Sequence, residues 1–295
     1  MTVQQAFDNF ILSRELADLS AKTVIDYQEF VQPFVIHIGP DKDVSTVAQE
    51  NINEYIAKIL KRPLSKASRA TYIRHVKIFL NWCGHEYDVA YNAKKIKVPK
   101  TPKREVKIYS NDEVIMLFES VVCEASWLEY RNRLILALMY DSGLRQSEVC
   151  MLKRRWISVS ERRAKVLGKG DKERVVPLGN LTIYFLQRYL ALCPYDSEFF
   201  LVDRRGEQMT CNAVKKMIYK LSDKLDFDVS SHKLRHNFAT NYCIDQYEKT
   251  GQVDIYKLMY LMGHEDIETT KRYLHFAMEI IATQNHVSHL DKVAL

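Results

Sequence analysis

The sequence predicts a mainly α-helical protein that contains one small β-sheet and divides into two domains. Three observations lead to this prediction. The chain has 295 residues, which exceeds the usual size of a single domain. Apolar residues recur at helical spacing over most of its length. Only residues 156–178 contain short strand-like runs joined by a glycine-containing turn. Hydrophobic residues make up 47% of the chain, which is enough to form substantial cores.

The first domain is predicted to span residues 1–93 and to be entirely helical. Ser20 is suited to cap a helix whose apolar residues follow helical spacing. A second helix begins near Ser65 and places Tyr72, Val76 and Cys83 on one side. Its other side is basic and either forms a solvated face or lies on a DNA backbone. The basic residues of that side are Lys66, Arg69, Arg74 and Lys77.

Residues 94–107 form the most basic window of the chain and are predicted to be an interdomain linker. They include seven lysines or arginines and one acid, Glu105, while Pro99 and Pro102 favour an extended backbone. The segment is either a soluble linker or a DNA-binding segment that lies along the phosphates, where each contact would release counterions from the DNA. Its first three lysines are Lys94, Lys95 and Lys97.

The second domain is predicted to span residues 108–295. Ser110 and Glu113 form a capping box ahead of an apolar run. A long helix is expected around residues 127–140, the sequence DSG breaks it, and Arg145 starts the next helix. The runs RAKVLGKG and ERVVPLG, joined by KGDK, predict a β-hairpin. Helices are expected from about residue 180 to the end.

Composition narrows the class of protein only partly. Lys and Arg outnumber Asp and Glu by 43 to 37, and a net charge of +6 is common in enzymes that never bind nucleic acid. Neither a signal peptide nor an 18-residue apolar run is evident, so no membrane partner is expected. The six cysteines form no Cys-x-x-Cys pair, which favours reduced thiols in a cytoplasmic protein. We expect no metal site and no cofactor.

Six residues of the second domain suit a metal-free attack on a phosphodiester. That reaction needs an in-line nucleophile, neutralised charge on the phosphate oxygens and a proton for the leaving oxygen. Two arginines can clamp a phosphate through bidentate hydrogen bonds and never lose their charge. A phenol with a pKa of about 10 can attack when cations and a histidine assist it. The six residues are Arg145, Lys169, His232, Arg235, His264 and Tyr273.

Some of these residues have competitors or open alternatives. Lys169 lies between two glycines at the hairpin tip, where it could enter the minor groove and protonate a leaving 5′-oxygen. Lys172 and Arg174 compete for that role. Glu148 shares a helix face with Arg145 and either supports Arg145 or His232 or is an ordinary surface acid.

These motifs resemble the tyrosine recombinase family, also called phage integrases, over roughly residues 3–280. In this resemblance Arg145 in GLRQSE matches the first arginine of the family and Lys169 in GKGDKER matches its hairpin lysine. His232 and Arg235 match the His-x-x-Arg pair. His264 in GHEDIETT matches the second His or Trp, and Tyr273 matches the nucleophile.

The resemblance implies a SAM-like core-binding domain and a mixed α/β catalytic domain that grip opposite sides of a duplex. Tyr273 would form a 3′-phosphotyrosyl link, Lys169 would be the general acid, and Arg145 with Arg235 would clamp the phosphate. Strand exchange through a Holliday junction would serve integration, excision or resolution. The expected DNA contacts are Lys66, Arg69, Arg74, Lys77, Lys94, Lys95, Lys97, Lys172 and Arg174.

The resemblance also implies partners. They are double-stranded DNA that carries a core site with inverted repeats, accessory DNA-bending proteins, and three further copies of the chain in a synaptic tetramer, with a monomer when free. The core-binding domain starts almost at Met1, which is similar to Xer-like or transposon-resolvase members. Residues 279–295 form a tail that either folds back or docks on a neighbouring protomer.

Two other functions stay open at this point. A relaxing enzyme similar to type IB topoisomerases would use the same residues as a monomer, and an accessory DNA-binding protein would keep the fold without catalysis. A nicked suicide substrate separates a recombinase from a binder, because only a cleaving enzyme becomes covalently trapped.

Overall fold

The computed structural model describes residues 1–101, 107–168 and 172–284. The chain divides into two compact units, Met1–Arg104 and Glu105–Leu295. The fold is mostly helical with one small sheet, as the sequence predicts. Within the described residues, no helix is both long and apolar enough to cross a membrane.

The amino-terminal unit is a set of four helices around one apolar core. Ser20 and Ser65 cap the second and fourth helices, and each side chain accepts a hydrogen bond from the backbone three residues later. The core is rich in aromatic rings, with Phe10 and Phe34 both in edge-on contact with Phe79. The helices are α1 (Val3–Leu16), α2 (Ala21–Ile38), α3 (Gln49–Lys61) and α4 (Lys66–Glu86).

The first part of the basic segment packs onto this unit. Residues Ala93–Lys95 form a short 3-10 turn, and Ala93 and Ile96 are buried in the amino-terminal core. The turn differs from the extended backbone that the prolines favour, because the apolar residues anchor the segment before Pro99. The lysines between the two buried residues, and Lys97 after them, point to solvent. The domain boundaries themselves stay predictions, and residues 102–106 lie outside the described part of the chain.

The basic side of α4 divides into two pairs. Lys66 and Arg74 are exposed, as a DNA contact requires. Arg69 instead donates to the carbonyl of Leu60 at 2.6 Å, and Lys77 donates to the carbonyl of Ile96 at 2.8 Å. The second pair therefore also ties parts of the amino-terminal unit together.

The second unit surrounds a three-stranded antiparallel sheet with helices. The predicted features at its start are all present, including the capping box of Ser110 and Glu113 and a helix that starts after Arg145. The helices are α5 (Asn111–Glu119), α6 (Ser126–Tyr140), α7 (Gln146–Met151), α8 (Asn180–Leu192), α9 (Cys211–Ser222), α10 (Ser231–Thr250), α11 (Ile255–Met262) and α12 (Ile267–Gln284). The strands are β1 (Ile157–Ser158), β2 (Arg163–Leu167) and β3 (Glu173–Pro177).

The predicted hairpin is confirmed by the pairing of β2 with β3, where Val166 lies opposite Arg174. Side chains alternate across the sheet, so Arg174 and Val176 face the core while Val175 faces outward. The backbone N–H of Gly168 donates to the carbonyl of Lys172 at 2.8 Å and closes the described end of the hairpin. Residues 169–171, which include Lys169, lie outside the described part of the chain.

The region between α8 and α9 is not helical, although the sequence predicts helices from residue 180 onward. Residues Pro194 and Gly206 interrupt the pattern, and Gly206 has a φ of +84° that an L side chain rarely adopts. Isolated bridges join Lys153 to Phe199 and Val202 to Gln208.

The last three helices share a small apolar cluster that is separate from the main core of the unit. It contains Phe238 and Cys243 from α10, Leu258 and Met262 from α11, and Ala277 from α12. The cluster therefore fixes α12 against α10 and α11.

Candidate active site

A buried carboxylate, Glu148, lies at the centre of the predicted site. Its side chain is only 3% exposed. Arg145 precedes α7, and its backbone N–H donates to Glu148 Oε2 at 2.7 Å while its Nη1 donates to Oε1 at 2.8 Å. The first turn of α7 thus fixes both the start of the helix and the direction of the arginine. Glu148 is a supporting residue for Arg145, and the alternative of a surface acid is wrong.

Arg174 reaches the same carboxylate from the sheet. Its Nη1 and Nη2 donate to the two oxygens of Glu148, each at 2.7 Å, and its Nε donates to the carbonyl of Leu261 at 2.8 Å. The guanidinium is 5% exposed, because its strand position faces the core. This internal role differs from the DNA contact, and from the general-acid role, that the sequence suggested for Arg174.

The arginines keep Glu148 ionised. Burial alone would raise the pKa of the carboxyl. The hydrogen bonds and charges of Arg174 and Arg145 outweigh that effect and hold the pKa below its ordinary value. Glu148 is therefore a fixed negative charge at neutral pH.

Arg235, on α10, is the third guanidinium of the cluster. Its donors contact the carbonyls of Gly143 and Met262, and its Nη1 lies 3.9 Å from Glu148 Oε2. Burial, followed by the like charge of Arg145, lowers its pKa to about 9, so the group stays charged at neutral pH.

Two glycines make this crowding possible. Gly143 has a φ of +66°, and a Cβ there would lie 2.3 Å from the Phe238 ring. Gly263 has a φ of +59°, and its carbonyl accepts a hydrogen bond from Arg145 Nη2 at 2.8 Å. A Cβ at this position would lie only 2.9 Å from Arg174 Nη1.

His264 follows Gly263 and is held by both ring nitrogens. Nε2 lies 3.2 Å from Arg235 Nη2, and Nδ1 lies 2.9 Å from the hydroxyl of Thr270. Since a guanidinium can only donate, Nε2 accepts and the ring proton is assigned to Nδ1. Burial, and then the charges of Arg235 and Arg145, lower the pKa of His264 to about 4, so the ring is neutral.

Tyr273 lies on α12 and is half-buried beside this cluster. Its ring stacks on the His264 ring with centroids 6.0 Å apart and an interplanar angle of 14°. The His236 ring meets it more steeply, with centroids 4.8 Å apart and an angle of 67°. Its phenol lies near the Arg235 guanidinium.

Comparisons with known proteins identify the family of the chain. A sequence profile described as the phage integrase family matches residues 110–279, more than half of the chain. The chain belongs to this family. Tyrosine recombinase XerC of Proteus mirabilis is 30% identical over an alignment of 298 positions, which covers 98% of this chain and 94% of that protein. Tyrosine recombinase XerA of Pyrococcus horikoshii is 30% identical over 90% of this chain and 87% of that protein.

Solved structures share the two-domain fold. A lambda integrase dimer bound to a COC′ core site has a TM-score of 0.74 at 18% identity, covering 93% of this chain and 95% of that chain. The Tn1549 transposon integrase in complex with transposon right end DNA has a TM-score of 0.73 at 15% identity, covering 97% and 99%. On the family profile and the Xer relatives, the protein is a tyrosine recombinase, an enzyme of site-specific DNA recombination.

The recombinase brings four of the six predicted residues together: Arg145, Arg235, His264 and Tyr273. His232 is exposed in the first turn of α10 and lines a neighbouring basic groove, which Lys216 and Tyr219 of α9 also line. Lys169 is outside the described residues. Lys172 is exposed, pairs with Glu265 at 2.7 Å, and borders a cavity of about 650 Å³ beside Arg145 and His264.

Two residues of this site were missed by sequence reasoning. The core-facing role of Arg174 has a signal, because Val176 two residues later shares its side of the strand. Helical spacing places His236 on another face from Arg235, and nothing local in the sequence indicates its contact with Tyr273. Among the described residues, no three His, Cys, Asp or Glu side chains group as metal ligands would.

Proposed function

We propose that this recombinase cleaves DNA by attack of the Tyr273 hydroxyl on a phosphate held by Arg145 and Arg235. The Tyr273 oxygen loses its proton and bonds to phosphorus, the bond between phosphorus and the 5′-oxygen breaks, and that oxygen takes up a proton. The products are a 3′-phosphotyrosyl link and a 5′-hydroxyl. The proposal rests on the grouping of three residues around Tyr273, namely Arg145, Arg235 and His264. The two arginines share the buried carboxylate of Glu148.

The charge of the cluster suits a phosphate. Three guanidiniums surround one carboxylate, which leaves an excess of two positive charges in a partly buried space. Arg145 is about a third exposed, so its remaining donors can reach a ligand. Because the guanidiniums are already fixed by carbonyls and a carboxylate, little reorganisation is needed when charge develops on the phosphate. These charges take the place that metal ions have in many nucleases.

Proton transfer is assigned to residues at the edge of the cluster. Both nitrogens of His264 are engaged, by Arg235 and Thr270, so His264 serves as an orienting group in this arrangement. We assign the general acid to Lys169, on the resemblance to the family, with Lys172 as the nearest alternative. His232 is exposed in the neighbouring groove, and its place in the catalytic set rests on the resemblance to the family.

The biological reaction follows from the phosphotyrosyl chemistry. The free 5′-hydroxyl attacks the link on a partner strand, and two such rounds through a Holliday junction exchange both strands. We propose double-stranded core sites with inverted repeats as substrate, a monomer when free, a homotetramer at synapsis, and cytoplasmic action in integration, excision or resolution. Accessory DNA-bending proteins are proposed partners. The predicted tail, residues 279–295, is proposed to dock on a neighbouring protomer. Its first residues, 279–284, belong to α12, and residues 285–295 lie outside the described part of the chain.

The test of this function is covalent trapping on a nicked suicide substrate. Tyr273→Phe keeps the ring but removes the attacking oxygen, so it should abolish trapping and leave DNA affinity within about twofold of wild type. Tyr247→Phe is the matched control, because Tyr247 is an exposed tyrosine of the same unit. Trapping that survives in Tyr273→Phe would rule out this nucleophile. Relaxation of plasmids that lack a core site would instead favour a topoisomerase-like enzyme.

A further inference from the structure

His236 is a half-buried titratable group that the proposed chemistry does not use. It lies on α10, next to Arg235, and its ring is directed at α12. The centroid of its ring is 4.8 Å from that of Tyr273 and 5.6 Å from that of Phe276. On its own helix, Nδ1 lies 3.4 Å from the hydroxyl of Thr240. His236 therefore bridges α10 to the helix that carries the nucleophile.

The imidazole is uncharged in this position. Burial, and then the nearby charge of Arg272, lower the pKa of His236 to about 4. A neutral ring can pack edge to face against an aromatic neighbour without the cost of a buried charge. The contact with Tyr273 is thus aromatic packing.

Tyr273 packs against the apolar cluster of the last helices on one side and contacts two histidine rings on the other sides. Among the described residues, the Tyr273 hydroxyl has no hydrogen-bond partner. The phenol ring is bounded by the parallel ring of His264 and by the steeply inclined ring of His236. Two contacts at such different angles restrict rotation about both side-chain torsions, whereas His264 alone would permit the ring to slide.

We propose that His236 is a positioning residue for the cleavage reaction: its ring fixes the orientation of the Tyr273 phenol so that the hydroxyl is aimed at the phosphate between Arg145 and Arg235. This inference rests on the proposed role of Tyr273 as nucleophile. A poorly aimed nucleophile reacts more slowly without binding DNA less tightly, because misplacement by about 1 Å can cost on the order of 100-fold in rate.

Three variants of the full-length protein separate positioning from general loosening. His236→Ala removes the ring, while His236→Phe keeps a ring of similar width. Leu258→Ala is the matched control, since Leu258 is fully buried in the same apolar cluster and its aliphatic side chain has no ring or polar group with which to orient the phenol. Thermal unfolding of each variant identifies those that are folded at the assay temperature.

The kinetic readout is single-turnover trapping on the nicked substrate as a function of DNA concentration. His236→Ala should lower the maximal rate by on the order of 10-fold to 100-fold, with half-saturation within about twofold of wild type. His236→Phe should recover most of the rate, and Leu258→Ala, which loosens the same cluster without removing a ring from Tyr273, should lose much less of the rate than His236→Ala. Equal rate losses in His236→Ala and Leu258→Ala, or a normal rate in His236→Ala, would overturn the proposal.

A spectroscopic readout reports the ring directly. With 3-fluorotyrosine at position 273, wild type and His236→Phe should give resolved ¹⁹F signals of a restricted ring, and His236→Ala a single averaged signal. Identical spectra in all three proteins would also overturn the proposal. If Tyr273→Phe still becomes trapped, the nucleophile assignment fails. If Tyr273→Phe is inactive and His236→Ala is normal, only the positioning role fails.

Discussion

Replacing Glu148 with glutamine tests whether one carboxylate organises the three arginines. The substitution keeps the size of the side chain and removes its charge. Glu148 accepts four hydrogen bonds, two from Arg145 and two from Arg174, and an amide can accept at only one of its two ends. The other end of the new amide carries N–H donors. These would face a guanidinium, which can only donate, so no hydrogen bond would form there.

The size of the effect follows from burial. The carboxylate is 3% exposed and Arg174 is 5% exposed, so the substitution leaves a buried cation without its partner. Breaking a buried pair from one side costs about 3–5 kcal/mol. For a unit of this size, about 1 kcal/mol shifts the Tm by roughly 2–4 °C, so Glu148→Gln should lower the Tm by about 6–20 °C. Trapping should also slow, because Arg145 loses its orientation.

The assay compares thermal unfolding at pH 7.5 with that of a surface control. Glu161→Gln removes an equally bidentate pair with Arg163, at 2.7 and 2.9 Å, in which both side chains are about half exposed. Solvent screening makes such pairs weak, so the control should stay within about 2 °C of wild type. A Glu148→Gln protein that is as stable as this control would refute the central role of the carboxylate.

Four further predictions concern the same protein. Gly263→Ala should lower the free energy of unfolding by about 1–3 kcal/mol and slow trapping, because the new Cβ meets the arginine cluster. Gly251→Ala, with a φ of +71° but open space around the new Cβ, should lose stability without slower trapping. Equal trapping rates in the two variants would show that Gly263 does not shape the site. Because the pKa of His264 is lowered to about 4, the unfolded chain binds more protons between pH 4 and 6.5, so stability should fall as pH drops through that window. His264→Gln should make this slope shallower by at most about 1.4 kcal/mol per pH unit, and urea denaturation that gives an unchanged slope would exclude the linkage. Lys169→Ala should cleave a normal substrate slowly, because its 5′-oxygen leaving group needs a proton, and should recover on a 5′-bridging phosphorothiolate, whose thiolate leaves without one. Rescue of Lys172→Ala but not of Lys169→Ala would assign the general acid to Lys172. Neutralising the three exposed lysines after α4, Lys94, Lys95 and Lys97, should lower the affinity for specific and random DNA by similar factors. The dependence of that affinity on salt concentration should weaken by up to about three phosphate contacts, and a loss of affinity confined to the core site would instead show that these lysines read bases.

Local signals in the sequence predicted the fold well where structure is determined locally. The caps at Ser20 and Ser65 and the capping box at Ser110 act within four residues, so the boundaries they predict agree with the structure. The stretch between α8 and α9 was less predictable, because its bridges depend on residues distant in the chain, such as Lys153 with Phe199.

The same distinction applies to the site. The support of Arg145 by Glu148 lies within one helical turn and could be predicted from spacing. The partners of Arg174 and His236 are 26 and 37 positions away, on other elements, and no periodicity reports such contacts. For His232 and Lys169 the resemblance to the family remains the main support.

The contacts that hold the arginine cluster also determine when a cutting site can exist during synthesis. Arg145 donates to a carbonyl 118 positions later in the chain, and Arg174 to one 87 positions later. Such distant contacts close large loops and form late in folding. A growing chain that ends before Leu261 lacks both carbonyl acceptors and the helix that carries Tyr273. On the proposed role of Tyr273, incomplete products of translation are unable to break DNA, so the arrangement delays a hazardous activity until nearly the whole chain has emerged.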